Sequence, residues 1–268
     1  MLSRLFPNRP ARPASRTPPG CVIWAVGDIH GRSDLADRLI QAIRADLHAA
    51  EASRKVVVFL GDYVDRGLDS RGVLNQLVNL AADPGLEIHL LRGNHEERME
   101  AFLHEPQGGP AWCDYGGRDT LVSYGVNPPP MRGDAQAWAD ASRALGEALP
   151  ESHRELLARL ENSVSIGDYF FAHAGARPGV ALAVQSPEDL MWIRQPFLDH
   201  AGLFEQVVVH GHTPIEAVHS DARRIGVDTG AYATHVLSAV RLEGETRGLL
   251  QATGRAGRVA ITTSALPI

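Results

Sequence analysis

Only two cysteines occur among the 268 residues, Cys21 and Cys113, far apart and in no Cys-x-x-Cys pattern. A disulfide framework is excluded, and a reducing, cytoplasmic setting is the default. No apolar run approaches the roughly 20 residues that a membrane span needs. An excess of positive charge is also missing: 26 Lys and Arg stand against 32 Asp and Glu, a net charge of −6. That argues against a general nucleic-acid binder, whose surface would be basic. Gly and Pro, 26 and 17 residues, stay below the level of a low-complexity chain, so a buried core is expected. No internal repeat is visible.

The first twenty residues differ from the rest. They hold five prolines and four arginines and no acid, so this stretch is +4 and the remainder −10. Such a composition also suits an organellar transit peptide, but a solvated, disordered tail over 1–20 is the expectation. One domain then covers 21–268.

From Cys21 the chain alternates between two periods. Cys21–Val26, Val56–Leu60 and Ile88–Leu91 are short apolar runs that read as buried strands. Between them, Leu35, Leu39, Ile43 and Leu47 mark one helix, which Ser33 would cap. Val73, Leu74, Leu77 and Val78 mark another, stopped at Asp83-Pro-Gly85. Strand, helix, strand, helix, strand predicts βαβ units and a largely parallel sheet. Residues 95–162 read as helical and loop-rich. Strands resume at 163–166, and Gly167-Asp168 makes a tight turn into 169–172. A helix opens at Ser186-Pro187, and further strands fall at 207–209, 225–227 and 236–242.

Chemistry is concentrated where the strands end. Gly27-Asp-Ile-His-Gly31, Gly61-Asp-Tyr-Val-Asp-Arg-Gly67 and Gly93-Asn-His-Glu96 follow the first three strands, and Ala172-His-Ala-Gly175 and His210-Gly-His-Thr213 follow later ones. Ligands of open α/β sheets bind at the carboxyl ends of strands, so the five clusters should converge. Asp28, His30, Asp62, Asn94, His173 and His212 offer oxygen and imidazole but no thiolate, a mixture suited to Mn, Fe or Zn. Six candidates exceed one open catalytic metal. They suit two ions about 3.5–4 Å apart that share a carboxylate. Any one of these motifs alone would more often be a turn; all five in order are not accidental.

The first three clusters resemble the motifs of the calcineurin-like metallophosphoesterases. Gly61–Gly67 is similar to the phosphoprotein phosphatase branch, with bacterial and bacteriophage serine/threonine phosphatases in mind; the likeness covers about residues 22–242. The resemblance implies an α/β fold with a β-sandwich core flanked by helices, and a helical insertion between the third and fourth metal-binding motifs. It implies one metal on Asp28, His30 and Asp62, and a second on Asp62, Asn94, His173 and His212. The ions would be divalent, Mn2+ first, with Fe or Zn as options. His95 becomes the general acid and Asp65 its charge partner. Arg66, Arg194 and Asn94 become the phosphate-binding groups. Cations and guanidiniums offset the charge of a phosphate dianion, and Arg donates in a planar fork. With no Ser or Cys nucleophile in the clusters, attack by a metal-activated hydroxide is expected to be direct and in line.

The implied activity is hydrolysis of phosphoserine and phosphothreonine in proteins, with phosphotyrosine open. The alternative is dinucleoside polyphosphate hydrolysis on the same metals. Members of that branch tend to depart from Asp-Arg in the second motif, whereas Asp65-Arg66 is intact. A chain that had lost catalysis would not keep all six ligands, His95 and Arg66. A nucleic-acid phosphodiesterase would want a basic groove. The expected partner is therefore a phosphorylated protein or peptide. Residues 173–175 read His-Ala-Gly where eukaryotic phosphatases have His-Gly-Gly. Asp228, at a strand end, is either a ligand support or a plain turn, the turn being favoured.

Overall fold

Alternate residues of the first apolar run go to opposite sides of a sheet, which is why the run is apolar throughout. In the computed structural model of the chain, which describes residues 14–255 and 257–267, this run is β1 (Cys21–Val26). Val22, Trp24 and Val26 face one core with α1 (Ser33–Ala49) and α2 (Ser70–Ala81); Cys21, Ile23 and Ala25 face a second core. β2 (Arg54–Phe59) divides its residues in the same way, and β3 (Glu87–Leu90) completes a parallel trio with β1 and β2.

A helical stretch follows, with α3 (Asn94–His104), α4 (Gly109–Trp112), α5 (Arg118–Ser123), α6 (Ala135–Ala148) and α7 (Glu151–Ala158). The second sheet then begins with the hairpin of β4 (Ser163–Ile166) and β5 (Tyr169–Ala172), turned at Gly167, whose φ is +59°. α8 (Pro187–Trp192) and α9 (Gln195–Leu198) precede β6 (Val207–His210), β7 (His219–Ser220) and β8 (Arg224–Gly226). After α10 (Ala231–Thr234), β9 (Val236–Glu243), β10 (Thr246–Arg255) and β11 (Arg258–Ala265) return to the first sheet.

The two sheets run β11-β10-β9-β1-β2-β3 and β4-β5-β6-β8-β7. Ile23, Val58 and Val240 of the first meet Phe171, Val207 and Ile225 of the second across a shared apolar core. The outer face of the second sheet, Phe170 and Val208, is covered by Leu190, Ile193 and Phe197. The result is an α/β fold of two mixed sheets flanked by helices.

Several expectations change. The sheets are mixed rather than largely parallel, because β9 returns antiparallel to β1, with Ala25 opposite Val240, and hairpins then add β10 and β11. Neither β10 nor β11 was expected. β11 is an edge strand with mostly exposed side chains, so it lacks the apolar signature of the other strands. Ser33 is the first residue of α1 and not its cap; its hydroxyl donates to Asp69 Oδ2 at 2.5 Å, and Asp69 caps α2 by accepting the Gly72 N–H. Ser186 does cap α8, accepting the Asp189 N–H at 3.1 Å.

The expected tail divides. Residues 1–13 lie outside the described residues, whereas residues from 14 onward are docked. Tyr169 donates its hydroxyl proton to the Ser15 carbonyl at 3.1 Å, the Arg16 N–H bonds Asp168, and the Thr17 N–H bonds the Gly244 carbonyl. Ser15 and Thr17 are buried there.

Candidate metal centre

All five strand-end clusters meet at one edge of the two sheets, and the turns that bring them there are strained. Six non-glycine residues among those described have left-handed backbone. Five belong to the clusters: His30 (φ +46°), Asp62 (+54°), Asp65 (+71°), Arg66 (+66°) and His212 (+63°). Such conformations cost ~1–3 kcal/mol each and persist where the surroundings enforce them, which is common at functional sites. Glycine permits the close approach. A side chain on Gly93 would overlap the Asp62 carboxylate, and one on Gly211 would overlap Asp28.

Asp62 is the hub. Its Oδ1 lies 3.3 Å from His173 Nε2 and accepts the His95 N–H at 3.1 Å; its Oδ2 lies 3.5 Å from His30 Nε2 and 3.9 Å from His95 Nε2. Two groups of side chains could each hold a cation, His30 with Asp62 and His95, and Asp62 with His173 and His212. Asn94 joins the second group, its Oδ1 at 3.0 Å from His173 Nε2 and 2.9 Å from His212 Nδ1. Asp28 stands outside both triads, its carboxylate accepting the His212 N–H at 3.0 and 3.2 Å.

The donor chemistry fits divalent cations. His173 Nδ1 faces the Leu60 carbonyl at 2.8 Å, so a neutral ring carries its proton there and leaves Nε2 as an acceptor. That acceptor faces two more, on Asn94 and Asp62. His30 repeats the device, with Nδ1 at 2.9 Å from the Val64 carbonyl. His212 Nε2 is buried with no hydrogen-bond partner among the described residues. Acceptors converging in a buried space need a proton or a cation between them.

The charges act on one another. Burial opposes ionisation of Asp62, but His173, His95 and His30 outweigh it and hold the carboxyl well below its ordinary value. Burial, then the Asp228 and Asp62 carboxylates, push Asp28 up. Burial lowers His30 to about 3 and His212 to about 2, which favours neutral, ligating imidazoles. His95 goes the other way: burial is outweighed by Asp62 and Asp65, and its pKa rises.

The phosphate-binding candidates border this cluster. Arg66 Nη1 is 3.1 Å from His30 Nε2, and Arg66 Nε donates to the Tyr115 carbonyl at 3.4 Å. Arg194 is exposed and donates to Thr213 Oγ1 at 3.3 Å, next to His212.

Residues 21–243 match the calcineurin-like phosphoesterase family. The chain belongs to that family. It is 34% identical over 93 residues to the serine/threonine-protein phosphatase BSL2 of Arabidopsis thaliana, which covers 35% of this chain and 9% of the relative. It is 27% identical over 186 residues to the symmetrical bis(5'-nucleosyl)-tetraphosphatase of Acidovorax sp. (strain JS42), which covers 69% of this chain and 51% of the relative. The chain thus spans about half the length of the second relative and about a tenth of the first. A solved structure assigned as a diadenosine tetraphosphatase shares the fold, with a TM-score of 0.57, 17% identity and coverage of 94% and 98% of the two chains.

Around this phosphoesterase site stand residues to which the sequence reading gave no role. Glu96 is fully buried and accepts four backbone N–H groups, from Asp62 (2.9 Å), Tyr63 (2.7 Å), Val64 (3.2 Å) and Gly93 (3.0 Å). It ties the second motif loop to the third. Burial, then Asp62, raises it to about 7. A Glu at the third position of α3 is the signal that could have found it. Trp112 and Thr120 donate to the Asp65 carboxylate at 2.8 and 2.6 Å, from helices far along the chain. Tyr232 lies under the Arg66 guanidinium at 4.8 Å and edge-on to His30 at 5.3 Å. Asp228, by contrast, was expected as a ligand support or a turn residue; it is buried, accepts the Gly230 N–H at 2.8 Å as a turn residue would, and is raised to about 6, burial being the main cause.

Proposed function

We propose that this metallophosphoesterase is a phosphomonoesterase acting on phosphoserine and phosphothreonine in proteins. The observation that carries the reading is the buried pair of His95 and Asp65, with Nδ1 and Oδ2 2.7 Å apart. An alkoxide leaving group must be protonated as the P–O bond breaks; a leaving nucleotide phosphate is weakly basic and need not be. Trp112 and Thr120 fix the Asp65 carboxylate, which fixes the imidazole and leaves Nε2 on the side of Asp62. From there His95 can hold a proton and give it to the leaving oxygen.

Asp28, His30 and Asp62 would hold one divalent ion, and Asp62, Asn94, His173 and His212 a second. Bound there, such ions supply a water acidic enough to attack and neutralise phosphate charge. Arg66, resting on Tyr232, and Arg194 would donate to phosphate oxygens. Leu68 (83% exposed) and Tyr115 (68% exposed) flank Arg66 and give the rim an apolar surface for a polypeptide. A second reading, dinucleoside polyphosphate hydrolysis, is favoured by the extent of the match to the Acidovorax relative. The test is phosphate release from a phosphothreonine peptide by Mn2+-loaded protein. Turnover that chelation abolishes and Mn2+ restores supports the proposal; turnover indifferent to chelation refutes it.

A further inference from the structure

Beside Arg66 the cleft opens into a cavity of about 480 Å³, walled on one side by the end of β10 at Arg255. All of β10 and β11 lies beyond residues 21–243, the part shared with the family. Arg32 clamps this hairpin to the site. Its guanidinium donates to the Gly254 carbonyl (2.9 Å), the Ala231 carbonyl (2.8 Å) and both oxygens of Asp34 (2.8 Å each), and sits 2.8 Å from His235 Nδ1. Arg32 is therefore fully engaged, and it neutralises Asp34.

The charges left on the cavity wall are Arg66, Arg255 and Asp69. Asp69 already accepts from Ser33 Oγ and the Gly72 N–H. Arg255 is exposed, and its guanidinium has no partner among the described residues. The space is larger than one phosphate group requires, and Arg66 belongs both to it and to the phosphate-binding border of the metal centre. An occupant would be continuous with a phosphate bound at the metals.

We propose that Arg255, carried by the C-terminal hairpin to the cavity beside Arg66, binds a second anionic group of the substrate. On a phosphoprotein this is an acidic side chain or a second phosphate close to the phosphorylated residue. The proposal deepens the protein-phosphatase reading and rests on it. An arginine facing a carboxylate or phosphate forms charge-assisted, bidentate hydrogen bonds, and at an open rim salt screens them.

The test uses the full Mn2+-loaded chain and two phosphothreonine peptides, one flanked by aspartates and the other by asparagines. The aspartate peptide is expected to have a KM about fivefold lower, with the preference weakening as salt rises. Arg255→Glu should reverse the preference, and Arg255→Lys should keep part of it. Arg258→Ala, the same hairpin's cross-strand neighbour of Arg255, should leave the preference in place. Equal KM values in the unaltered protein overturn the proposal. So does a preference that survives Arg255→Glu, or one that Arg258→Ala removes equally well. If diadenosine tetraphosphate is cleaved and neither peptide is, the protein-phosphatase reading fails and the subsite falls with it. If both peptides are cleaved without preference, the subsite alone fails.

Discussion

Replacing Asp65 by Asn removes one charge and little else. The carboxylate is fully buried and accepts from His95 Nδ1 at 2.7 Å, Trp112 Nε1 at 2.8 Å and Thr120 Oγ1 at 2.6 Å. An amide oxygen in place of Oδ2 still accepts from His95 and Trp112. The amide nitrogen then faces the Thr120 hydroxyl, which can rotate to accept. Folding stability should therefore fall by no more than about 1–2 kcal/mol, and a melting curve checks that. The lost charge matters more. Two unit charges about 4 Å apart attract by about 4 kcal/mol at an effective dielectric constant of about 20, and measured shifts from such neighbours are about 1–3 pKa units. Asp65 is one of the two carboxylates that raise His95 against the effect of burial. In Asp65→Asn the imidazolium loses its proton at lower pH, so the alkaline limb of the kcat profile moves down. On a phosphothreonine peptide kcat should drop about 10²–10³-fold. On p-nitrophenyl phosphate, whose leaving group needs no proton, the drop should be at least about tenfold smaller. Equal losses on both substrates would refute His95 as a proton donor held by Asp65.

Other perturbations separate the remaining roles. His95→Asn should cut peptide turnover about 10²–10⁴-fold while elemental analysis finds the metal content unchanged; loss of metal would make His95 a ligand instead. Asp62→Asn removes the carboxylate that three imidazoles surround, so metal content and turnover should fall together, as calorimetric Mn2+ titration would report. Outside the metal centre, burial opposes ionisation of Asp221, but N–H groups of Arg224 and Arg223 and the Arg223 guanidinium outweigh it and pull the pKa from 3.8 to about 2. The stability this adds is complete above the unfolded value and is lost as pH falls through about 2. Solvent screens this partly exposed carboxylate, so Asp221→Asn should cost only about 1 kcal/mol near pH 6 and flatten the decline of Tm below about pH 4.

Much of the site could be read in the sequence because it sits where the local signal is strongest. An apolar run that gives way to a small residue and a polar cluster marks a strand end: Asp28, Asp62, Asn94 and His212 each follow a glycine there, and His173 follows Ala172. Strand partnership could not be read. Nothing in residues 236–242 says that they run antiparallel to β1; that pairing, with Val240 opposite Ala25, is set by the tertiary structure. The bracing residues were hidden for a related reason. Trp112 and Thr120 reach Asp65 across 47 and 55 residues of chain, on helices whose own pattern shows only a buried face. Residues 14–17, Ala-Ser-Arg-Thr between Pro13 and Pro18, carry no apolar pattern of their own, yet they dock, because the Tyr169 hydroxyl and the β9–β10 turn offer partners that composition does not reveal.

Under the proposed function, this metal centre serves an alkoxide leaving group on a protein. The most direct measurement compares kcat/KM of the Mn2+-loaded chain for a phosphothreonine peptide and for diadenosine tetraphosphate, each with a chelated control. The expected result is preference for the peptide, lost on chelation. Preference for the dinucleotide would contradict it and show that the Asp65–His95 pair does not select the leaving group.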